Sequence, residues 1–174
     1  VEKGATGKGG NLTINTDRLR IFNGGQVSAS TFGNGDAGNL TVTAKNIELS
    51  GTSADKKIGS SLSAVSANPF NAGFLSVNTD FLNVGDGAQI SVSSIDRLGG
   101  AGNLEIKANS IFLDKGGSLR AEVNTGDRGN IKSDSSYIQL GRDSQITTNA
   151  IGKASGGNVT IVSNNLVLLE NSLI

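Results

Sequence analysis

A short motif of glycine, asparagine and an aliphatic residue recurs along this chain at nearly constant spacing. Its copies are Gly10-Asn11-Leu12, Gly38-Asn39-Leu40, Gly102-Asn103-Leu104, Gly129-Asn130-Ile131 and Gly157-Asn158-Val159, with a weaker sixth copy at Gly73-Phe74-Leu75. Successive aliphatic residues of the motif are 28, 35, 29, 27 and 28 residues apart. A fixed period in this range is the signature of a repeat architecture, and it outranks any assignment made residue by residue.

Apolar residues occupy the same six places in every repeat. If the aliphatic residue of the motif is position zero, these places are positions zero, two, seven, nine, fifteen and seventeen, and 33 of the 35 residues at them are apolar. The exceptions are Ser133 and Thr148, and the second repeat fits once a seven-residue insertion is placed within residues 50–60. Apolar pairs spaced by two are typical of strands with one buried face. Each repeat therefore predicts three short strands joined by turns.

Three short strands cannot bury their apolar faces alone, but stacked repeats can. We therefore predict an all-β fold, a right-handed parallel β-helix (solenoid) of about six coils of three short strands, with one coil per repeat of roughly 28 residues. The right hand is expected from the twist of strands built of L-residues. The coils should start near residues 11, 39, 74, 103, 130 and 158 of a single β-helix domain over residues 1–174. Because the sequence stops within a coil at Ile174, we expect a fragment of a longer chain.

Stacking also predicts specific neighbours across adjacent coils. Arg20 and Glu48 share one outward position in consecutive coils, as do Glu105 and Lys132, so each pair should face each other. The motif asparagines should form one column. Asparagine tolerates the left-handed turn conformation, and stacked amides hydrogen-bond along a ladder, which favours a structural role over a ligand-binding row.

Composition excludes several classes of function. Lysine plus arginine and aspartate plus glutamate are 15 each, so no basic field attracts nucleic acid or anionic lipid. No apolar run is long enough for a transmembrane helix, so membrane insertion is not expected. The chain has no cysteine and no histidine, which removes thiolate metal ligands and the commonest general base. We predict no catalytic residue, no cofactor and no metal site.

The irregular second coil is the one place where the sequence favours a ligand contact. Insertions in a solenoid leave one face as loops, and such loops often bind. Charged residues in the insertion and an aromatic residue in the following turn could together contact a sugar, which gives the candidate set Asp55, Lys56, Lys57 and Phe70. The alternative is a tolerated surface loop, since long loops cost little entropy.

The repeats resemble a known family. The phrases GKGGNLTINTDRL, GGQVSASTFGNGDAGNLTVTA and GDGAQISVSS are similar to the repeats of filamentous-haemagglutinin-like proteins, which are two-partner-secretion exoproteins, with the closest likeness to the cyanobacterial set. The resemblance extends over nearly all of the chain from Gly7 onward and implies a right-handed β-helical rod exported through an outer-membrane partner. That family's secretion domain carries Asn-Pro-Asn motifs, from which Asn68-Pro69-Phe70 departs, so the chain resembles the repeat region beyond it.

Two functions follow as expectations. The first is a structural or adhesive shaft of a large secreted bacterial surface protein, found outside the cell or on its outer surface, which extends a filament and contacts surface glycans or other cells. The isolated fragment could also self-associate end to end. The alternative is a polysaccharide-processing enzyme of the pectate-lyase-like type, which needs clustered acidic residues. Here the acidic residues lie at different positions in different coils, namely Asp17, Glu48, Asp80, Glu105 and Asp114.

Overall fold

The computed structural model describes residues 1–67, 70–94, 99–124, 126, 129–150 and 154–174. In these residues long and short strands alternate, and none of them forms a helix. The long strands are β1 (Leu12–Phe22), β3 (Leu40–Ser50), β5 (Leu75–Gly85), β7 (Leu104–Asp114), β9 (Ile131–Leu140) and β11 (Val159–Leu168). The short strands are β2 (Gln26–Ser28), β4 (Ser61–Ser66), β6 (Gln89–Ser94), β8 (Ser118–Val123) and β10 (Gln145–Ala150).

The strands stack as a parallel β-solenoid. One sheet has the order β1-β3-β5-β7-β9-β11, and the other has the order β10-β8-β6-β4-β2. The motif aliphatics are paired from coil to coil, beginning with Leu12 against Leu40 and Leu40 against Leu75. The prediction of stacked coils with a period near 28 residues is therefore confirmed, as five full coils and the long strand of a sixth.

The core is the set of apolar positions that the sequence pattern identifies. In coils two to five all six positions are buried except Thr148, whose hydroxyl donates to the carbonyl of Gly157 at 2.8 Å. Ser133 is fully buried, and its hydroxyl has no hydrogen-bond partner among the described residues. The sixth coil is open to solvent, with Leu166 at 44% and Leu168 at 49% exposure.

The structure joins the first two predicted strands of each coil into one long strand. Alternation of buried and exposed residues breaks once in the middle, where Lys45 and Asn46 are both exposed. Strand pairing skips position five and resumes at position six, so Thr16 pairs with Ala44 and Arg18 with Asn46. Each long strand therefore bends at positions five and six while its hydrogen-bonded ladder continues on both sides, which the spacing of apolar pairs alone does not reveal.

The motif glycines are required by the close approach of neighbouring coils. A Cβ atom added to Gly38, Gly73, Gly102 or Gly157 would lie 1.8–2.0 Å from the carbonyl oxygen of the motif glycine one coil earlier, far inside contact distance. None of these four glycines has a positive φ angle. The motif therefore requires glycine because there is no room for a side chain between the coils, and not because the backbone adopts a left-handed turn.

The motif asparagines form a ladder of a particular kind. The backbone N–H of Asn39 donates to Oδ1 of Asn11 at 2.9 Å, and that of Asn158 donates to Oδ1 of Asn130 at 2.9 Å. Where Phe74 replaces asparagine, its N–H still donates to Oδ1 of Asn39 at 2.9 Å. The asparagines therefore form a row, but its rungs are mainly backbone N–H groups donating to side-chain oxygens, and among the described residues only Asn130 Nδ2 donates to another asparagine amide, at Oδ1 of Asn103. The left-handed conformation expected for these asparagines is wrong, because none of the five has a positive φ angle.

Left-handed residues lie instead at the turn between the long and the short strand. Asn23 and Gly24, Asp86 and Gly87, and Lys115 and Gly116 are consecutive residues with positive φ, the pattern of a type I′ turn. In coil two this turn is replaced by the insertion, which fills residues 51–60 between β3 and β4.

Candidate ligand-binding face of the long sheet

A polar groove follows the bend of the long strands across all six coils. We call it the bend groove, and it is formed by positions three to five of each coil, which are residues 15–17, 43–45, 78–80, 107–109, 134–136 and 162–164. Its two halves have volumes of about 420 and 380 Å³ and share residues 78–80. The groove therefore runs along the axis of the solenoid, across the strands.

Small residues form the floor of the bend groove. Position four holds only small side chains, which are Thr16, Ala44, Thr79, Ala108, Ser135 and Ser163. The hydroxyl of Thr16 donates to the carbonyl of Arg18 at 3.4 Å, and that of Ser163 donates to the carbonyl of Asn165 at 2.9 Å. These bonds reach across the bend from position four to position six. Where position four is Thr16, Thr79 or Ser163, its hydroxyl thus stabilises the bend, and the small side chains of this column leave the space above it open.

The walls of the bend groove carry both charges. Lys45 Nζ lies 2.9 Å from Oδ1 of Asp17, and Nδ2 of Asn109 donates to Oδ1 of Asp80 at 3.2 Å. Lys107 and Asp134 add one charge of each sign in the next coils. Such a surface presents hydrogen-bond donors and acceptors without a strong field of either sign.

An aromatic row lies beside the bend groove on the same face. We call it the aromatic strip, and it consists of Phe81, Phe112 and Tyr137 from coils three, four and five. The ring centroids of Phe81 and Phe112 are 5.2 Å apart, and those of Phe112 and Tyr137 are 5.5 Å apart. Phe81 is 40% exposed, while the other two rings are half-buried. The hydroxyl of Tyr137 donates to Oε1 of Gln139 at 2.9 Å.

Sequence reasoning missed this strip, although the residues stand at outward positions. Phe81 and Tyr137 occupy position six and Phe112 occupies position eight, so no single column is aromatic. They meet because Phe81 pairs with Ser110, two residues before Phe112, and Phe112 pairs with Gln139, two residues after Tyr137. Diagonal neighbours of this kind are within reach of aromatic side chains. The sequence does carry a signal for this strip. When two outward aromatic residues in adjacent coils differ by two positions within the repeat, their rings lie on a diagonal and can touch.

The predicted contact residues do not form one cluster. Asp55, Lys56 and Lys57 lie in a hairpin closed by the antiparallel bridge between Thr52 and Gly59, which precedes β4. Phe70 follows the opposite end of that strand. Six residues of strand separate the two ends, a span of roughly 20 Å. An interaction that uses both ends would need a ligand long enough to cross the short sheet.

The hairpin uses its own polar groups. The hydroxyl of Ser53 donates to Oδ1 of Asp55 at 2.5 Å, and the backbone N–H of Lys57 donates to the same oxygen at 3.2 Å. The Ser53 hydroxyl, followed by the Lys57 N–H, lowers the pKa of the exposed Asp55 carboxyl. Lys57 Nζ also lies 3.6 Å from Oδ2 of Asp55. These contacts stabilise the hairpin itself.

Most of the acidic residues that the enzyme alternative would need form ion pairs with a neighbouring coil. Arg20 Nε lies 3.4 Å from Glu48 and Lys132 Nζ lies 3.7 Å from Glu105, which confirms both predicted pairs. The exposed side chains limit each pair to about 0.2–1 kcal/mol, enough to favour the register but not to hold the fold.

The corner beside the type I′ turns carries further pairs. Arg142 Nε donates to Oδ1 of Asp114 at 2.9 Å, and this hydrogen bond holds the pKa of the Asp114 carboxyl below its usual range. Lys115 Nζ lies 3.3 Å from Oδ1 of Asp86. Charges on adjacent coils thus neutralise each other along this edge of the solenoid.

Features of a metal site or of a membrane-spanning helix are absent from the part of the chain that the structure describes. The described residues contain no group of three or more acidic, cysteine or histidine side chains that could hold a metal ion. In the same part of the chain no helix has the length and apolar character needed to cross a membrane. Asn68 and Pro69 of the Asn-Pro-Phe sequence lie outside the described residues. Comparisons with family models, curated proteins and solved structures gave no match.

Proposed function

We propose that this chain is a length of shaft in a large secreted bacterial surface protein of the filamentous-haemagglutinin-like, two-partner-secretion type. The observation that carries the proposal is the pattern of contacts. Among the described residues each long strand pairs with the long strands of the coils before and after it, and each short strand pairs in the same way with short strands. A stack built on neighbour contacts alone can be extended by adding coils, because no coil depends on a distant one.

The repeating contacts support a mechanical role. Glycine and asparagine of the motif serve the stacking of coils, and charges on adjacent coils are paired, as in Arg20 with Glu48. The acidic residues that a pectate-lyase-like enzyme would need are largely engaged in these pairs, including Asp17 with Lys45 and Glu105 with Lys132. The shaft therefore explains the charged residues without assigning chemistry to them.

The resemblance of the repeats to those of secreted exoproteins supports the location and the partner. On this proposal the parent protein passes through an outer-membrane secretion partner and stands outside the cell or on its surface. The proposal requires no cofactor, no nucleic acid and no insertion into a membrane. It assigns adhesion to contacts of the shaft with surface glycans or other cells.

A secretion test examines the proposal directly. The chain is fused behind the secretion domain of a two-partner exoprotein and produced together with the outer-membrane partner in a bacterial host. We expect the fused chain to appear outside the cell, accessible to added protease, and to lengthen the exported rod by roughly 25–30 Å, as about six coils spaced like neighbouring strands require. A globular domain of the same length in the same fusion is the control.

Retention of the fused chain inside the cell, under conditions where the unfused exoprotein is exported, would count against the shaft. An exported chain that leaves the rod length unchanged in small-angle scattering would do so as well. Release of reducing sugars from a polysaccharide by the purified chain would favour the enzyme instead.

A further inference from the structure

The aromatic strip is more than an internal packing contact. Cross-strand aromatic pairs stabilise sheets, and the ring contacts of Phe81, Phe112 and Tyr137 have that effect. If the rings served only to pack against each other, we would expect them to bury one another. Phe81 nevertheless leaves 40% of its surface in water, beside the polar and charged residues of the bend groove. The strip therefore presents an apolar platform to solvent, three coils long.

One groove lies along a side of this platform, and a second continues it along the solenoid axis. Position five of coils three and five, directly before the rings of Phe81 and Tyr137, holds Asp80 and Ser136 of the bend groove. Beyond Phe81 the same two columns, positions six and eight, continue into coils two and one as a second groove of about 180 Å³. It is also lined by Arg18, Arg20, Asn46, Glu48 and Asn83. A ligand on the rings would thus find hydrogen-bond donors and acceptors along the edge that faces the bend groove, and again beyond Phe81 in the second groove.

The charges of the two grooves select against an ionic ligand. The half of the bend groove beside the strip holds Asp80, Asp134 and Lys107, for a formal charge of −1. The second groove holds Arg18, Arg20 and Glu48, for a formal charge of +1. The sum is zero, so neither a polyanion such as nucleic acid nor a polycation gains from the field.

The direction of the strip and of the bend groove indicates the shape of the ligand. Strip and bend groove both run across the strands, along the solenoid axis, so the ligand that matches them is long and narrow. Its faces must be apolar enough to stack on aromatic rings while its edges carry hydroxyl groups. Pyranose sugars joined in an extended chain have these properties, since their C–H faces pack on rings and their hydroxyls point outward.

We propose that the aromatic strip and the grooves beside it bind a neutral, extended polysaccharide whose chain lies along the solenoid axis. The inference deepens the adhesive part of the proposed function, and it places the ligand on the long sheet and not on the hairpin of coil two. It is tested on the purified chain without secretion. A failure to bind polysaccharide would count against this site but not against the shaft. A failure of export would count against the shaft but not against this site.

Binding is measured with the whole chain against insoluble cellulose and chitin and against soluble mannan and xylan, with polygalacturonate and DNA as anionic probes. Tyr137 is the one tyrosine of a chain without tryptophan, so its fluorescence reports the strip directly. We expect a neutral polysaccharide to change this fluorescence and to retain the chain, and the anionic probes to do neither. Release of reducing ends is read in the same samples.

The variants use residues that other coils carry at the same positions. Phe81→Asn and Tyr137→Asn both change position six of a coil. Coils two and six already have asparagine at that position, as Asn46 and Asn165. We expect about tenfold weaker binding for each, as loss of one aromatic contact implies, and larger losses when they are combined. The control is Phe22→Ser, which removes an equally exposed phenylalanine and inserts the residue of the paired Ser50. It should bind like the unaltered chain.

Thermal unfolding by circular dichroism confirms that each variant is folded, and Phe112→Gln, with the residue of the paired Gln139, gives an independent change at the middle ring. The proposal is overturned if no neutral polysaccharide binds, if the folded double variant binds normally, or if Phe22→Ser loses as much affinity. It is also overturned if affinity is lost only on deletion of residues 52–59, which would assign binding to the hairpin.

Discussion

Substituting one motif glycine by alanine gives a sharp test of the stacking argument. In Gly102→Ala the new Cβ would lie 1.9 Å from the carbonyl oxygen of Gly73, whereas ordinary contacts are 3.4–4 Å. The coils must therefore separate locally by about 1.5 Å, nearly a third of the spacing between neighbouring strands. The φ angle of Gly102 lies outside the left-handed region, so the cost arises from space alone.

The magnitude follows from the bonds beside the clash. Separation stretches the hydrogen bonds from Ala72 N–H to the Gly100 carbonyl and from Leu75 N–H to the Asn103 carbonyl, which are 2.9 and 3.0 Å long. Each is worth about 1 kcal/mol, and overpacking adds about 1–3 kcal/mol. Alanine returns about 0.4–1 kcal/mol by restricting the unfolded chain. We expect a net loss of about 2–4 kcal/mol in the free energy of unfolding.

Gly10 supplies the matched control within the same motif. A Cβ on Gly10 meets no atom within 4 Å, and its φ angle is also outside the left-handed region. Gly10→Ala should therefore leave stability unchanged or raise it by up to about 1 kcal/mol. Urea unfolding followed by far-ultraviolet circular dichroism measures both variants. Equal stability of the two variants would refute the claim that coil spacing explains the motif glycine.

Three further changes test other parts of the structure. Ser133→Val should raise the free energy of unfolding by about 1–3 kcal/mol, because it removes a buried hydroxyl without a partner and fills a column that is apolar elsewhere. Asn130→Ala should lower it by about 0.5–1.5 kcal/mol and speed amide hydrogen exchange at Asn158, whose N–H loses its acceptor. Arg142→Gln should slightly lower the free energy of unfolding at neutral pH and reduce the acid sensitivity of unfolding, because it removes the cation that holds the pKa of Asp114 down.

The sign of the acid effect follows from the lowered pKa of Asp114. A carboxyl whose pKa is lower in the folded state than the usual 3.8 contributes stability above that value and loses it as the pH falls through the folded pKa. The original chain should therefore lose this increment below about pH 4, and Arg142→Gln should not. Unfolding measured from pH 7 to pH 2 compares the two. Identical pH profiles would show that the pair contributes nothing.

Controls accompany the other two changes. Ser133→Ala removes the hydroxyl without adding volume, so it separates the hydrogen-bond effect from the filling of the column. If both Ser133→Val and Ser133→Ala lost stability, the claim that the buried Ser133 hydroxyl destabilises the fold would be contradicted. Asn130→Asp keeps a side-chain oxygen for the Asn158 N–H and should retain its slow exchange; fast exchange in that variant would count against the ladder.

The periodicity of the sequence predicted the columns of the core and the ion pairs between coils. Leu82 and Ile111 share position seven and are stacked and buried, and Arg20 faces Glu48, because strand alternation and coil register together specify which side chains meet. Both relations depend only on counting along the chain. They could therefore be read without knowing the shape of a coil.

The aromatic strip and the reason for the motif glycine depend on distances that counting does not give. Phe112 meets Phe81 and Tyr137 across diagonals, so the contact depends on the reach of the rings over neighbouring strands. Gly102 is required because the coils approach closely at that point and not because of its φ angle. The bend at positions five and six is equally invisible to a pattern of apolar pairs.

The asparagine ladder gives the solenoid a direction. In each observed step an earlier asparagine supplies the side-chain oxygen and the next coil supplies the backbone N–H, as in Asn11 with Asn39 and Asn39 with Phe74. A finished coil thus offers fixed acceptors to the residues that follow it in sequence. At each of these steps a chain that emerges with its N-terminal end first finds the acceptor already in place, so assembly of the coils can advance in the order of the sequence.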